Sequence, residues 1–104
     1  MISGSFYRGT TPTHSFTLPF EADMVSDLRI TYFQNKKVVF IKNLNGIEFV
    51  ENEISFTLTQ QETYMFEAGK EVSVQIKIKT KEGLVLNSDI MTMRVDESLD
   101  NEVI

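Results

Sequence analysis

The apolar side chains of this chain recur mostly at every second position, the signature of strands with one buried face. His14, Phe16 and Leu18 alternate with Thr13, Ser15 and Thr17, and Pro12 and Pro19 bracket the run. Proline has no N–H to give to a ladder, so both mark strand ends. Residues 21–27 read as a connector with a helical turn at Ala22–Val25, and a strand follows from Leu28 to Gln34. Asn35-Lys36 is a tight turn, and Lys37–Lys42 is the return strand of a hairpin. In that return strand Val38, Val39, Phe40 and Ile41 are apolar on both parities. Such a strand is covered on both sides, or one side meets a partner.

Asn45-Gly46 is a strong turn signal. Ile47–Val50 and Ile54–Leu58 read as two short strands joined by Glu51-Asn52-Glu53, with Ile54, Phe56 and Leu58 on one face. The periodicity then changes. Thr59-Gln60-Gln61-Glu62 matches a capping box, in which the Thr59 hydroxyl accepts from the Glu62 amide and the Glu62 carboxylate reaches back. Tyr64, Met65 and Phe66 follow, and Gly69 fits a helix stop. A helix this short must pack on a sheet to persist, so the aromatic cluster reads as a lid on the core. Glu71–Thr80 is the cleanest strand, with Val72, Val74, Ile76 and Ile78 facing in. Lys81-Glu82-Gly83 turns the chain, with glycine at the left-handed position. The return from Leu84 to Val95 changes parity across Asn87-Ser88-Asp89, which predicts a bulge or break there.

These elements predict an all-β fold. It is an immunoglobulin-like two-layer β-sandwich of seven or eight short antiparallel strands, with one short helical crossover at about residues 60–68. Residues 1–95 form the single sandwich domain, and residues 96–104 form an acidic tail with Leu99, Val103 and Ile104 spaced along it. Antibody-type domains are excluded, because the chain has no cysteine and no tryptophan.

Charge refines the picture. Residues 1–52 sum to zero and residues 53–104 carry the whole net charge of −5. Four of the acids lie in the tail, so the body before residue 96 sums to −1. No basic patch matches a phosphate backbone, so nucleic acid is not an expected partner. The longest apolar runs are four residues, far short of the roughly 20 a membrane span needs. The N-terminus has no basic start followed by an apolar run, so no signal peptide is expected.

The search for chemistry yields little. The absence of cysteine excludes disulfides and thiolate metal sites, and a single histidine, His14, excludes a multi-histidine metal site. His14 has no neighbouring nucleophile motif, and it reads as a structural residue on an inward strand face. The scattered acids lack the spacing and the central glycine of a calcium loop. No catalytic residue, cofactor or metal ligand is therefore assigned, and no enzyme is expected. The candidate interface residues are Val39 and Ile41 on the Lys37–Lys42 strand, and Leu99, Val103 and Ile104 in the tail. An exposed strand edge offers main-chain hydrogen bonds to a partner or to a second copy. The alternative is a stand-alone domain for carbohydrate or a host-surface ligand. That reading needs an exposed aromatic platform, for which Tyr7, Tyr32 and Tyr64 are the candidates; periodicity places at least two of them near the core.

Three stretches carry a family resemblance. They are Arg8-Gly9-Thr10-Thr11-Pro12-Thr13 with Leu18-Pro19-Phe20, Leu58 to Thr63 with Phe66, and Val74-Gln75-Ile76-Lys77 with Lys81-Glu82-Gly83 and Val95. In that order they resemble small prophage-encoded proteins of gut Firmicutes and the N-terminal domain of the phage baseplate upper protein family. The likeness spans residues 7 to 104. It implies an immunoglobulin-like structural component of a virion, made in the bacterial cytoplasm and placed in a tail or baseplate by contacts with other subunits. It carries over no catalytic residues.

Overall fold

The computed structural model describes residues 2–104, with side chains from Gly4 onward. Nine strands form two sheets. The larger takes β1 (Ile2–Tyr7), β9 (Met91–Asp96), β7 (Glu71–Thr80), β3 (Val25–Gln34) and β4 (Lys37–Asn43) in that order, with β8 (Val85–Asn87) also paired to β7. The smaller takes β2 (Thr13–Thr17), β6 (Glu53–Thr57) and β5 (Glu48–Val50). Chain order against sheet order is that of an immunoglobulin-like sandwich carrying an extra strand, β4, at the edge of its larger sheet. Among the described residues the smaller sheet holds three strands where the constant-type sandwich has four. The first strand instead lies beside β9 in the opposite sheet.

Local rules set the corners. Asn35 and Lys36 both take positive φ, 55° and 63°, as the tightest hairpin turn requires, and β3 and β4 pair on either side of them. Gly83 turns β7 into β8 at φ 94°, where the Thr80 N–H donates to the Leu84 carbonyl. The predicted break in the return strand is real and lies between β8 and β9. There Ser88 stands in for the ladder: its hydroxyl accepts from the Ile76 N–H at 2.9 Å, and its own N–H donates to the Ile76 carbonyl at 2.8 Å.

Three departures from the sequence reading have physical causes. β1 was not anticipated, because Gly4 at its centre leaves only Ile2 and Phe6 as apolar residues at the alternating positions; Phe6 anchors it in the core, and β9 supplies its hydrogen bonds. That pair runs parallel, unlike the other pairings of the fold. The predicted helical crossover at 60–68 contracts to α1 (Gln60–Tyr64), because Gly69, at φ 80°, donates to the Val95 carbonyl rather than closing a helical turn.

The core lies between the sheets and is strongly aromatic. Phe6, His14, Phe16, Tyr32, Phe40, Phe56 and Phe66 form a continuous network of ring contacts, the tightest being Tyr32 to Phe40 at 4.8 Å between centroids. Around it Leu28, Ile30, Ile54, Leu58, Val72, Val74, Ile76 and Val95 are essentially inaccessible. Burying each such side chain stabilises the fold by roughly 1.5–3 kcal/mol relative to exposure.

Candidate interaction surfaces

The two most specific sequence motifs meet in space. The capping box forms as the sequence requires, with the Glu62 N–H donating to Thr59 Oγ1 and the Thr59 N–H donating to Glu62 Oε1. Arg8, Gly9 and Thr10 then clasp the resulting turn of helix. Arg8 Nε donates to the Phe66 carbonyl at 2.9 Å and Nη2 to the Tyr64 carbonyl at 3.1 Å, with the guanidinium 5.0 Å from the Tyr64 ring centroid. The Tyr64 carbonyl is one that the helix C-terminus leaves without a partner, and the Phe66 carbonyl lies two residues beyond it. The Gly9 N–H donates to Thr63 Oγ1, and that hydroxyl donates to the Thr10 carbonyl. On the other side buried Gln34 grips the exit of the helix, donating to the Glu67 carbonyl and accepting from the Glu67 N–H. Residues 8–10 and 59–66 thus hold the chain crossing between the sheets. Of the aromatic triplet only Phe66 enters the core, while Met65 is exposed.

His14 is likewise a core residue. Its Nδ1 lies 2.6 Å from Tyr32 Oη, and its ring stacks on the Tyr32 ring. Burial lowers the His14 pKa below its usual value, so the imidazole is held neutral. Burial, with the Glu62 carboxylate acting the same way, pushes the Tyr32 phenol far up, so the phenol keeps its proton. For Glu62 itself burial works upward, but the hydrogen bond from Lys42, the bond from the Thr59 backbone and the Lys42 charge outweigh it, and its pKa falls. Among the described residues no three His, Cys, Asp or Glu side chains converge on a common point.

The tyrosines form no platform: Tyr32 is fully buried, Tyr64 packs under Gly9 and Arg8, and Tyr7 is exposed.

The outer face of the larger sheet carries a different feature. Register places Phe33 opposite Val38 and Thr31 opposite Ile41 across the β3–β4 pair, and all four side chains point away from the core. Phe33, Val38 and Ile41 are 40%, 51% and 49% exposed. Phe33 continues into a shallow groove of about 290 Å³ closed at its far side by Ile90, itself exposed. Arg29, Lys77, Lys79 and Arg94 share this face through their register partners. β4 has β3 on one side and no strand on the other.

The candidate interface residues divide. Ile41 lies in the outward band. Val39 sits at the register shift opposite Tyr32 and Phe33 and packs partly against the core, so the outward residue there is Val38, which sequence parity did not distinguish. The strand is therefore not covered on both sides: Phe40 turns inward against Tyr32 and Phe66, while Val38 and Ile41 stay open. Leu99, Val103 and Ile104 lie on the exposed tail, which has no regular structure beyond Asp96. The structure does not bring the tail residues together with the β4 residues.

A second groove, of about 320 Å³, opens between the free edge of β2 and the free edge of β8. Phe16, Leu18, Phe20, Ile78, Leu86 and Met91 line it.

No protein-family model and no curated protein matches this chain. Among solved structures it is similar to the V domain of amphioxus IgVJ-C2, at 12% identity over 89% of this chain and 98% of that one, with a TM-score of 0.35. The strand order, not that likeness, carries the sandwich assignment.

Proposed function

We propose that this chain is a non-enzymatic assembly module that joins a larger structure through the outer face and β4 edge of its larger sheet. The observation that carries this reading is the band of Val38, Phe33, Ile41 and Ile90 on that face, apolar and open, beside an unpaired strand edge. Contiguous exposed apolar area rimmed by polar groups marks protein contact surfaces more often than accident. Charges of both signs rim the face, Arg29, Lys77, Lys79 and Arg94 beside Asp27 and Glu71, as suits a polar rim around an apolar contact. The one histidine is committed to the core, which leaves little for general acid–base chemistry. The setting we propose is a phage tail or baseplate, as a virion component contacting other subunits. That setting is supported by the sequence resemblance alone.

Co-expression with each structural protein encoded beside it tests the reading. The wild-type chain is expected to co-purify with at least one, and a Phe33→Glu/Ile41→Glu variant is expected to lose at least tenfold of the retained amount. Both side chains lie outside the core, and an unchanged circular dichroism spectrum and melting profile of the variant checks that the fold is kept. No retention by any of the set, or equal retention of the variant, would contradict it.

A further inference from the structure

Beyond the sheet face, we infer that the groove between β2 and β8 receives the acidic tail of a second copy of this chain as an added strand. The groove is the place where the smaller sheet is one strand short among the described residues. Two free strand edges frame it, and each presents backbone groups to an incoming chain. Its floor is core: Phe16, Leu18, Ile76 and Ile78 are buried and form its base. Its mouth is uncovered. Leu86 pairs with inward-facing Ile78, and so points to the core side, yet remains 41% exposed. Phe20 and Met91 are half-buried beside it.

The tail has the pattern this groove takes. Leu99, Asn101 and Val103 share one face of an extended strand, while Asp100 and Glu102 share the other. Leu99 is fully exposed in the single chain and Val103 more than half so. Seated on the edge of β8, the tail would turn Leu99, Asn101 and Val103 to the inner side, with the two aliphatic side chains on the apolar floor. Asp100 and Glu102 would then lie on the outer face beside Asn87 and Val85, one strand away from Lys77 and Lys79 of β7. Addition to the β2 edge would instead bring the same acids to the face that holds Glu53 and Glu48. Charge therefore selects the β8 side.

Reach selects a second copy. Val95 lies level with Lys70, since its N–H donates to the Lys70 carbonyl. The groove floor starts at Ile76, about 20 Å along β7 at the strand rise of 3.3 Å per residue. Leu99 is four residues beyond Val95 and extends at most about 14 Å. The tail cannot place Leu99 in its own groove, whereas another molecule's tail meets no such limit. Exchanged reciprocally about a two-fold axis the contact closes a pair, and passed on in one direction it builds rings or filaments.

The test follows the full chain and a Leu99→Glu/Val103→Glu variant by sedimentation equilibrium from micromolar to millimolar concentration. In parallel, the isotopically labelled variant is titrated with a synthetic peptide of residues 96–104 and followed by NMR. The wild type is expected to self-associate, and the variant to do so ten- to a hundredfold more weakly, as loss of one or two buried aliphatic side chains implies. The peptide is expected to shift amides of β8 and of Phe16 to Leu18. A monomeric wild type at millimolar concentration would overturn the inference, as would a variant that associates as well as the wild type, or peptide shifts confined to β3 and β4 or absent. Association that survives the tail substitutions but is lost in Phe33→Glu/Ile41→Glu would sink the tail contact and leave the sheet-face reading standing.

Discussion

The single histidine illustrates how much one side chain's surroundings decide its role. His14 sits among Phe6, Phe16, Tyr32 and Phe56, with a phenol as its hydrogen-bond partner. An imidazole so placed is a polar tie between the sheets, linking β2 to β3. Its pKa is lowered by burial from the ordinary 6.5, so the folded state excludes a proton that the unfolded chain accepts. Because the unfolded state binds more protons below that value, stability rises with pH there. The contribution is complete above about pH 7 and is lost progressively as pH falls through 6.5 toward the folded-state value. Chemical denaturation across pH 4.5–8 is expected to show this fall, with a slope of at most about one proton, and a His14→Gln variant is expected to flatten it. A wild-type profile flat across pH 5–7 would contradict the assignment. A second fall is expected below 4.5, where Glu62, whose pKa is held down by Lys42 and Thr59, takes up its proton.

At the scale of elements, the crossing between the sheets is the most closely specified part of the chain. Five helical residues cannot hold themselves, and Arg8 ties down the last of their carbonyls, that of Tyr64, together with the Phe66 carbonyl just past the helix. Gly9 lets the clasp close. Its φ is 81°, and a Cβ there would meet the Tyr64 ring at 2.6 Å, so Gly9→Ala is both strained and blocked. Gly9→Ala is expected to destabilise the fold by about 2–4 kcal/mol in equilibrium denaturation, strain and clash together, against about 1 kcal/mol of backbone strain alone for Gly46→Ala. Gly46 also has positive φ but nothing within 4 Å of a built Cβ, so a similar loss at both sites would show that conformation alone matters. Much of this scale was legible in the sequence. The capping box, the Asn35-Lys36 turn, Gly83 and the break around Ser88 are local rules that tertiary packing did not override. β1 was not legible, because a single buried ring, Phe6, and a parallel neighbour hold it, and neither leaves a period in the chain. The candidate surface was half legible. Four consecutive apolar residues announced that β4 had two apolar faces, but the register shift at Val39 decides which ones look outward, and a shift of pairing has no one-residue signature.

The whole molecule combines a saturated interior with two unsatisfied exteriors. Among the described residues no fully buried side-chain nitrogen or oxygen lacks a hydrogen-bond partner, so the core asks for nothing more. The outer face of the larger sheet and the groove between β2 and β8 instead expose apolar side chains next to free strand edges. The two lie at different places on the sandwich, so one molecule can engage a foreign partner with one and a sister chain with the other. The central claim is that the Phe33, Val38 and Ile41 face is covered when the protein is at work. Carbene footprinting read by mass spectrometry, on the free chain and on the complex isolated with a co-expressed partner, measures that cover directly. Ready labelling of these three residues is expected in the free chain and at least a fivefold loss of it in the complex, with Val50 and Glu48 of the smaller sheet as unchanged references. Equal labelling of Phe33, Val38 and Ile41 in both states would contradict it.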